Sequence, residues 1–211
     1  MGKPGIDDLE QLATEAYRRC KASPIQPLSP LAVSRALLGH GKVTLVDSLP
    51  ADVLGASIGH TIESARIILN RSAPTHRKLF TLAHELAHIL LRIEGLDSAD
   101  GLEKSCDYLA ACLMAPKAAA LALFKTHGFR VSRVAEPALQ TDTWAIMRIG
   151  EATGIPVAAI KPGKVRFRGK QRETFPSEAT LREVASGRVQ VPGLRCVRLS
   201  DGMGRAAVIA V

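Results

Sequence analysis

An α+β fold is what these 211 residues predict. The expected order is N-terminal helices, a small antiparallel sheet, a long helix marked by polar residues with a second helix after it, and a basic, β-rich C-terminal extension. Three observations lead there. Helix-spaced apolar positions with fitting cap residues flank a middle segment. That middle segment consists of short β-branched runs bounded by Gly, Pro, Asn and Asp. The charge, finally, is unevenly placed: from residue 161 onward there are eleven Lys or Arg and four acidic residues, a net +7 out of the total +8, which leaves +1 for the first 160 residues. The domain expectation follows the charge, with a main domain over 1–160 and an extension over 161–211.

Each element has a local reason. The stretch DDLEQLATEAYRRCKA places acidic residues in its first turn and basic ones in its last, matching the helix dipole. In LSPLAVSRALLGHG, Ser29 suits an N-cap, Pro30 the first helical position, and Gly39 or Gly41 the stop. KVTLVD and SARIILN read as strands, with VLGASIGH as a third between them. A helix starts near Thr75, and in LEKSCDYLAACLMAP the apolar residues Cys106, Leu109, Ala110 and Leu113 recur at helical spacing before Pro116. Another helix is expected between Ala138 and Gly154. Beyond it, KVRFRG, RVQV, RCVRL and AAVIAV alternate like short strands.

Composition narrows the class. At 46% hydrophobic the chain supports one main core with an appendage. No apolar run reaches the length of a membrane span, and MGKPGIDDLEQL lacks the basic start and apolar run of a signal peptide, so no membrane association and a cytoplasmic location are expected. Cys20, Cys106, Cys112 and Cys196 form no C-x-x-C pair and read as small buried hydrophobes.

The chemistry concentrates in RKLFTLAHELAHILL, residues 77–91. His84 and His88 are four apart, so on a helix they project from one face, a turn apart, where both imidazoles can reach one metal ion. Glu85 is offset by about 100° around the axis, too far to join the ligands yet close enough to act on a water beside the metal. This is H-E-x-x-H, a zinc-hydrolase signature. With six His and eleven Glu in the chain, such a spacing arises by chance in roughly one sequence in a hundred, so the surroundings must carry the argument. They are apolar on every side: Leu79, Phe80, Leu82, Leu86, Ile89, Leu90 and Leu91. Imidazoles and a carboxylate buried there without partners cost several kcal/mol, which a metal site avoids.

Zinc needs a third protein ligand. A metzincin would have Gly and His three and six residues after His88, but those positions hold Leu91 and Glu94, which excludes that class. Glu94 falls on the opposite side of the helix. Glu103 is the better choice, opening the next helix with Asp107 one turn on, both facing inward beside the apolar stripe. One can bind the metal while the other accepts a hydrogen bond from a ligating imidazole. Against this, Glu103 also reads as a first-turn acid favoured by the dipole and Asp107 as a solvated residue. Asp97 and Asp100 are the other acids in reach as third ligand. His60, His76, Tyr108 and His127 all carry donors suited to an oxyanion, and the spacing does not choose among them.

With ARIILN, then RSAPTHR, then FTLAHELAHILL, and further on EKSCDYLAACLMAP, the chain resembles the ImmA/IrrE metallopeptidases over residues 49–116, with weaker similarity in PIQPLSPLAVSRALLG. The resemblance implies a zincin-like core, His84, His88 and Glu103 as zinc ligands, and Glu85 as general base. In the departures, Leu79 stands for an Arg, Ala87 for the usual Gly, Asp107 where Asn or Asp is common, Leu109 for Phe, and LMAP for LLMP. None removes a ligand; Ala87 adds a methyl beside the metal, and Leu79 removes a charge at the substrate side.

The resemblance further implies a regulatory protease that makes limited cuts in a helix-turn-helix repressor. Zinc would polarise the scissile carbonyl, and Glu85 would take a proton from the attacking water and deliver it to the leaving amine. An extended substrate segment is expected to pair beside the strand ending at Asn70. Two other readings compete. One is a nucleic-acid or protein-binding module with a structural or inactive zinc site, using Lys164, Arg166, Arg168, Lys170 and Arg172 around Phe167, although such strands are commonly a solvated sheet face. The other is a peptidase of broad specificity.

Overall fold

Helix formation starts where capping chemistry allows it. In the computed structural model, which describes residues 4–50, 52–97, 101–161, 164–168, 175–199 and 206–210, α1 (Ile6–Arg19) carries Asp7 and Asp8 in its first turn and Arg18 and Arg19 in its last. The Asp8 carboxylate accepts from Gly5 N–H at 2.8 Å. In α2 (Pro30–Leu38), the Ser29 hydroxyl accepts from Ala32 N–H at 3.2 Å, Pro30 takes the first position, and Gly39, at φ 91°, ends the helix.

Three strands follow, β1 (Val43–Val46), β2 (Gly55–Ile58) and β3 (Arg66–Asn70), in the order β1-β3-β2. The sheet differs from the antiparallel expectation. β2 pairs antiparallel with β3, but β1 pairs with it in parallel. The chain leaves β1, passes to the far side of the sheet to make β2, and returns β3 into the gap, so β1 and β3 run the same way. β3 is therefore central, with both edges occupied. The strand ending at Asn70 thus has no open edge for a further strand, contrary to the expectation from sequence; β1 and β2 are the outer strands.

Asn70 directs the chain into the next helix. Buried at the end of β3, its side-chain oxygen accepts from Ser72 N–H at 3.0 Å and Ser72 O–H at 2.7 Å, while its amide donates to Val53 C=O at 3.3 Å. α3 (Thr75–Ile93) then runs along the sheet and packs against α4 (Leu102–Met114). Tyr17 secures the end of α4: its buried hydroxyl donates to Leu113 C=O at 3.1 Å and accepts from Leu28 N–H at 2.9 Å.

The fit of β2 on α3 depends on one missing side chain. A Cβ on Gly55 would lie 2.6 Å from Thr81 Cγ2 and 3.0 Å from both Ile68 O and Leu69 Cδ2. From there strand and helix advance together, because two strand residues cover about 6.7 Å and four helical residues about 6 Å. Gly55 faces Thr81 and Ser57 reaches Glu85; beyond the strand, the long Arg92 side chain reaches back to donate Nη1–H to Gly59 C=O at 2.6 Å.

The chain divides into two compact units, Met1–Pro116, which holds these elements, and Lys117–Val211. The second contains α5 (Lys117–His127), α6 (Val131–Ala135), a short 3-10 helix (Glu136–Ala138), α7 (Asp142–Thr153), β4 (Val157–Lys161), β5 (Lys164–Arg168), α8 (Glu178–Ser186), β6 (Leu194–Arg198) and β7 (Ala206–Ala210). Its strands form an antiparallel sheet ordered β5-β4-β7-β6. β4 is covered on both faces: Val157 and Ala159 join the cluster of Val134, Ile146 and Ile149, whereas Ala158 and Ile160 join Leu181 and Val184 of α8. A helix between Ala138 and Gly154 was expected, and Gly154 closes α7 at φ 75°. RVQV forms no strand, and α5, α6 and α8 are helices beyond those expected from sequence. α8 has the signals of a helix: the Ser177 hydroxyl accepts from Thr180 N–H at 3.2 Å, and Gly187 ends it. Among the described residues, no single helix is long and apolar enough to cross a membrane.

Gly55→Ala is expected to destabilise the protein by about 1–3 kcal/mol, because strand and helix must part to admit the methyl. Urea unfolding would register a lower midpoint; an unchanged midpoint would show that β2 does not need this close approach.

Candidate metal centre

Between residues 81 and 91 of α3, every side chain is buried except His84, Glu85 and His88. Leu82, Leu86, Ile89, Leu90 and Leu91 anchor the helix in the core, and the three polar residues share the strip left open. Ala87 belongs to the core cluster, with no exposed surface. Its methyl packs in that cluster.

The imidazoles point at one place. His84 Nε2 and His88 Nε2 are 3.1 Å apart, and Glu103, reaching across from the first turn of α4, puts Oε2 3.2 Å from His84 Nε2 and Oε1 3.4 Å from His88 Nε2. Tetrahedral zinc with bonds near 2.0–2.1 Å keeps its ligand atoms about 3.3 Å from one another. The two nitrogens and the two oxygens of the Glu103 carboxylate stand close to these separations, and among the described residues His84, His88 and Glu103 form a group of donors that could hold a metal. Asp107, one turn beyond Glu103, meets the other face of the His84 ring at 3.0 Å from Nδ1. That hydrogen bond, against the effect of burial, raises the His84 imidazole above its ordinary pKa, with smaller help from the charges of Asp107, Glu85 and Glu103.

The site is graded from core to solvent. Both imidazoles are 17% exposed, but Glu103 is 74% and Asp107 62% exposed. The carboxylates were expected to face inward; they stand at the open rim, where ionised groups keep their hydration while still reaching the rings. Asp97 faces Arg92, 3.7 Å away, and Asp100 lies outside the described residues.

Two residues join the site that the sequence reading did not include. Ser57 of β2 donates its hydroxyl to Glu85 Oε2 at 2.7 Å. Cys106 of α4 puts Sγ 3.3 Å from His88 Nδ1. Burial, reinforced by the charges of Glu103, Asp107 and Glu85, pushes the Cys106 thiol up to about 12. Neither was legible, since Ser57 depends on strand–helix register, and Cys106 satisfies the apolar stripe of α4 as a small hydrophobe would. Among the residues considered for an oxyanion, Tyr108 donates its hydroxyl to Glu10 at 3.0 Å, and His127 lies in the second unit.

Residues 44–136 match the Peptidase M78 family model, the IrrE N-terminal-like domain. This part of the chain belongs to the ImmA/IrrE family. The match takes in the whole H-E-x-x-H helix and α4, and so every residue of the ImmA/IrrE donor group. Among solved structures, a Mycobacterium tuberculosis transcriptional regulator shares the fold at a TM-score of 0.60 and 13% identity, over 96% of this chain and 74% of that one. No curated protein sequence matches significantly.

The basic strand β5 has its own environment. Arg166 is exposed, while Val165 and Phe167 pack on the α8 cluster, and Phe167 meets Phe175 at 5.6 Å between ring centroids. The aromatic that would stack on a base is thus engaged in packing. Lys170 and Arg172 lie outside the described residues.

His84→Ala or His88→Ala is expected to abolish stoichiometric zinc uptake, Glu103→Ala to lower occupancy, and Asp107→Ala to weaken affinity by about 10- to 100-fold. Elemental analysis after dialysis against zinc checks all four. Full zinc content in Glu103→Ala would remove that residue from the ligand set.

Proposed function

We propose that this protein is a zinc-dependent metallopeptidase that acts in the cytoplasm and makes limited cuts in a regulatory protein, a helix-turn-helix transcriptional repressor. The observation that carries the reading is the placement of Glu85, partly exposed beside three donor atoms spaced for one tetrahedral ion and fixed by Ser57. His84, His88 and Glu103 would hold the metal, and a set of two imidazoles and one carboxylate with a position left open suits catalytic zinc. When bound, zinc polarises the scissile carbonyl and makes a nearby water more acidic.

The chain's own groups do the rest. Glu85 accepts a proton from the attacking water and passes it to the leaving amine. The Ser57 hydroxyl occupies Oε2, which keeps the carboxylate from swinging and leaves its other oxygen for the proton. Asp107 holds the His84 ring. The outer edge of β2, the strand carrying Ser57, has no strand neighbour among the described residues, so an extended substrate can add its backbone there in reach of Glu85.

Family membership supports the peptidase class, and the name of the M. tuberculosis protein, a transcriptional regulator, agrees with a regulatory role. The repressor as target rests on the ImmA/IrrE resemblance. A second reading, a nucleic-acid or protein-binding module with an inactive zinc site, is favoured by the net +7 beyond residue 160.

Glu85→Gln keeps size and polarity but removes the base; the variant is expected to fold, hold zinc and lose hydrolysis by at least about 100-fold. Incubating a helix-turn-helix repressor encoded beside this protein with each form, and reading fragments by mass spectrometry, is expected to give two discrete fragments with wild type alone. Equal cleavage by both forms removes Glu85 from the mechanism. An intact repressor, together with a salt-sensitive complex on DNA, favours the binding module.

A further inference from the structure

We propose that Cys106 is a positioning residue for the metal centre, its sulfur accepting the Nδ1 hydrogen of His88 as Asp107 accepts that of His84. The proposal rests on the reading of His84, His88 and Glu103 as metal ligands.

A neutral imidazole that uses Nε2 as a ligand carries its proton on Nδ1, and that N–H needs an acceptor to fix the ring. At His84 the acceptor is a carboxylate, Asp107 Oδ1, at 3.0 Å. At His88 it is the sulfur of Cys106, whose 3.3 Å approach to Nδ1 suits a larger and softer acceptor. Cys106 has no exposed surface and belongs to the core cluster that holds Leu86 and Leu109. A carboxylate at that depth would carry a costly buried charge, whereas a neutral sulfur does not.

The spacing along α4 makes the arrangement a unit. Glu103, Cys106 and Asp107 stand at i, i+3 and i+4, on one face of the helix. A single turn of α4 thus supplies the third donor and both outer acceptors to the single turn of α3 that carries the two imidazoles. The outer acceptors differ in kind, charged and exposed for His84, neutral and buried for His88.

The test needs no substrate. Zinc affinity is measured by chelator competition for wild type, Cys106→Ala and Cys106→Ser, with circular dichroism of each metal-free form as the folding control. Cys106→Ala is expected to bind zinc about tenfold more weakly, as loss of an outer acceptor does. Cys106→Ser, which keeps an acceptor, is expected to recover most of that loss. Cobalt loading provides a second readout: wild type and Cys106→Ala should show the same near-ultraviolet absorption, since the sulfur stays off the metal. Wild-type affinity in Cys106→Ala overturns the proposal and leaves the metal centre standing, as does a serine variant as weak as the alanine one. A thiolate-to-cobalt band that vanishes in Cys106→Ala overturns it by making the cysteine a ligand. If wild type takes up no zinc, the metal centre itself falls, and this proposal with it.

Discussion

One turn of α3 lies against one turn of α4 closely enough that the two imidazole Nε2 atoms are 3.1 Å apart and the Glu103 carboxylate oxygens approach them at 3.2 and 3.4 Å. Groups that all present lone pairs do not gather this way without a cation or shared protons between them. The surrounding structure serves that approach. Asn70 sets where the chain enters α3, Tyr17 ties the end of α4 to Leu28, and the buried leucines of α3 leave its polar residues nowhere else to face.

A second packing relation brings in Glu85. Because Gly55 lets β2 settle against Thr81, the next inward residue of the strand arrives opposite Glu85, and a short hydroxyl is long enough to reach it. The same strand is an outer strand of the sheet, with no strand neighbour on its other side among the described residues. The polar groups grow more exposed from the imidazoles to Asp107 and Glu103.

The second unit follows another logic. β4 is apolar on both sides because α7 covers one face of the sheet and α8 the other, which is why it lacks the alternating pattern of the Arg-rich strands. In β5 the pattern does alternate, and Arg166 stays exposed while Phe167 turns into the α8 cluster. The basic charge that stands out in the sequence is thus exposed at Arg166 on the sheet, at Arg188 after α8 and at Arg195 in β6.

By itself the sequence determined the α+β class, the charged ends of α1, the caps of α2 and the start of α3, and it singled out His84, Glu85 and His88 as a candidate site. These rest on local rules: a cap is read within four residues, and H-E-x-x-H needs only helical periodicity to bring its histidines together. Tertiary structure alone decided that β1 pairs parallel to β3, that β3 is central and β2 an outer strand, that Ala87 belongs to the core cluster, and that Ser57 and Cys106 touch Glu85 and His88. Each of those depends on residues far apart in the chain. Strand order follows from which gap the returning strand fills, and the contacts of a serine or a buried cysteine follow from register between elements, which neither residue type announces.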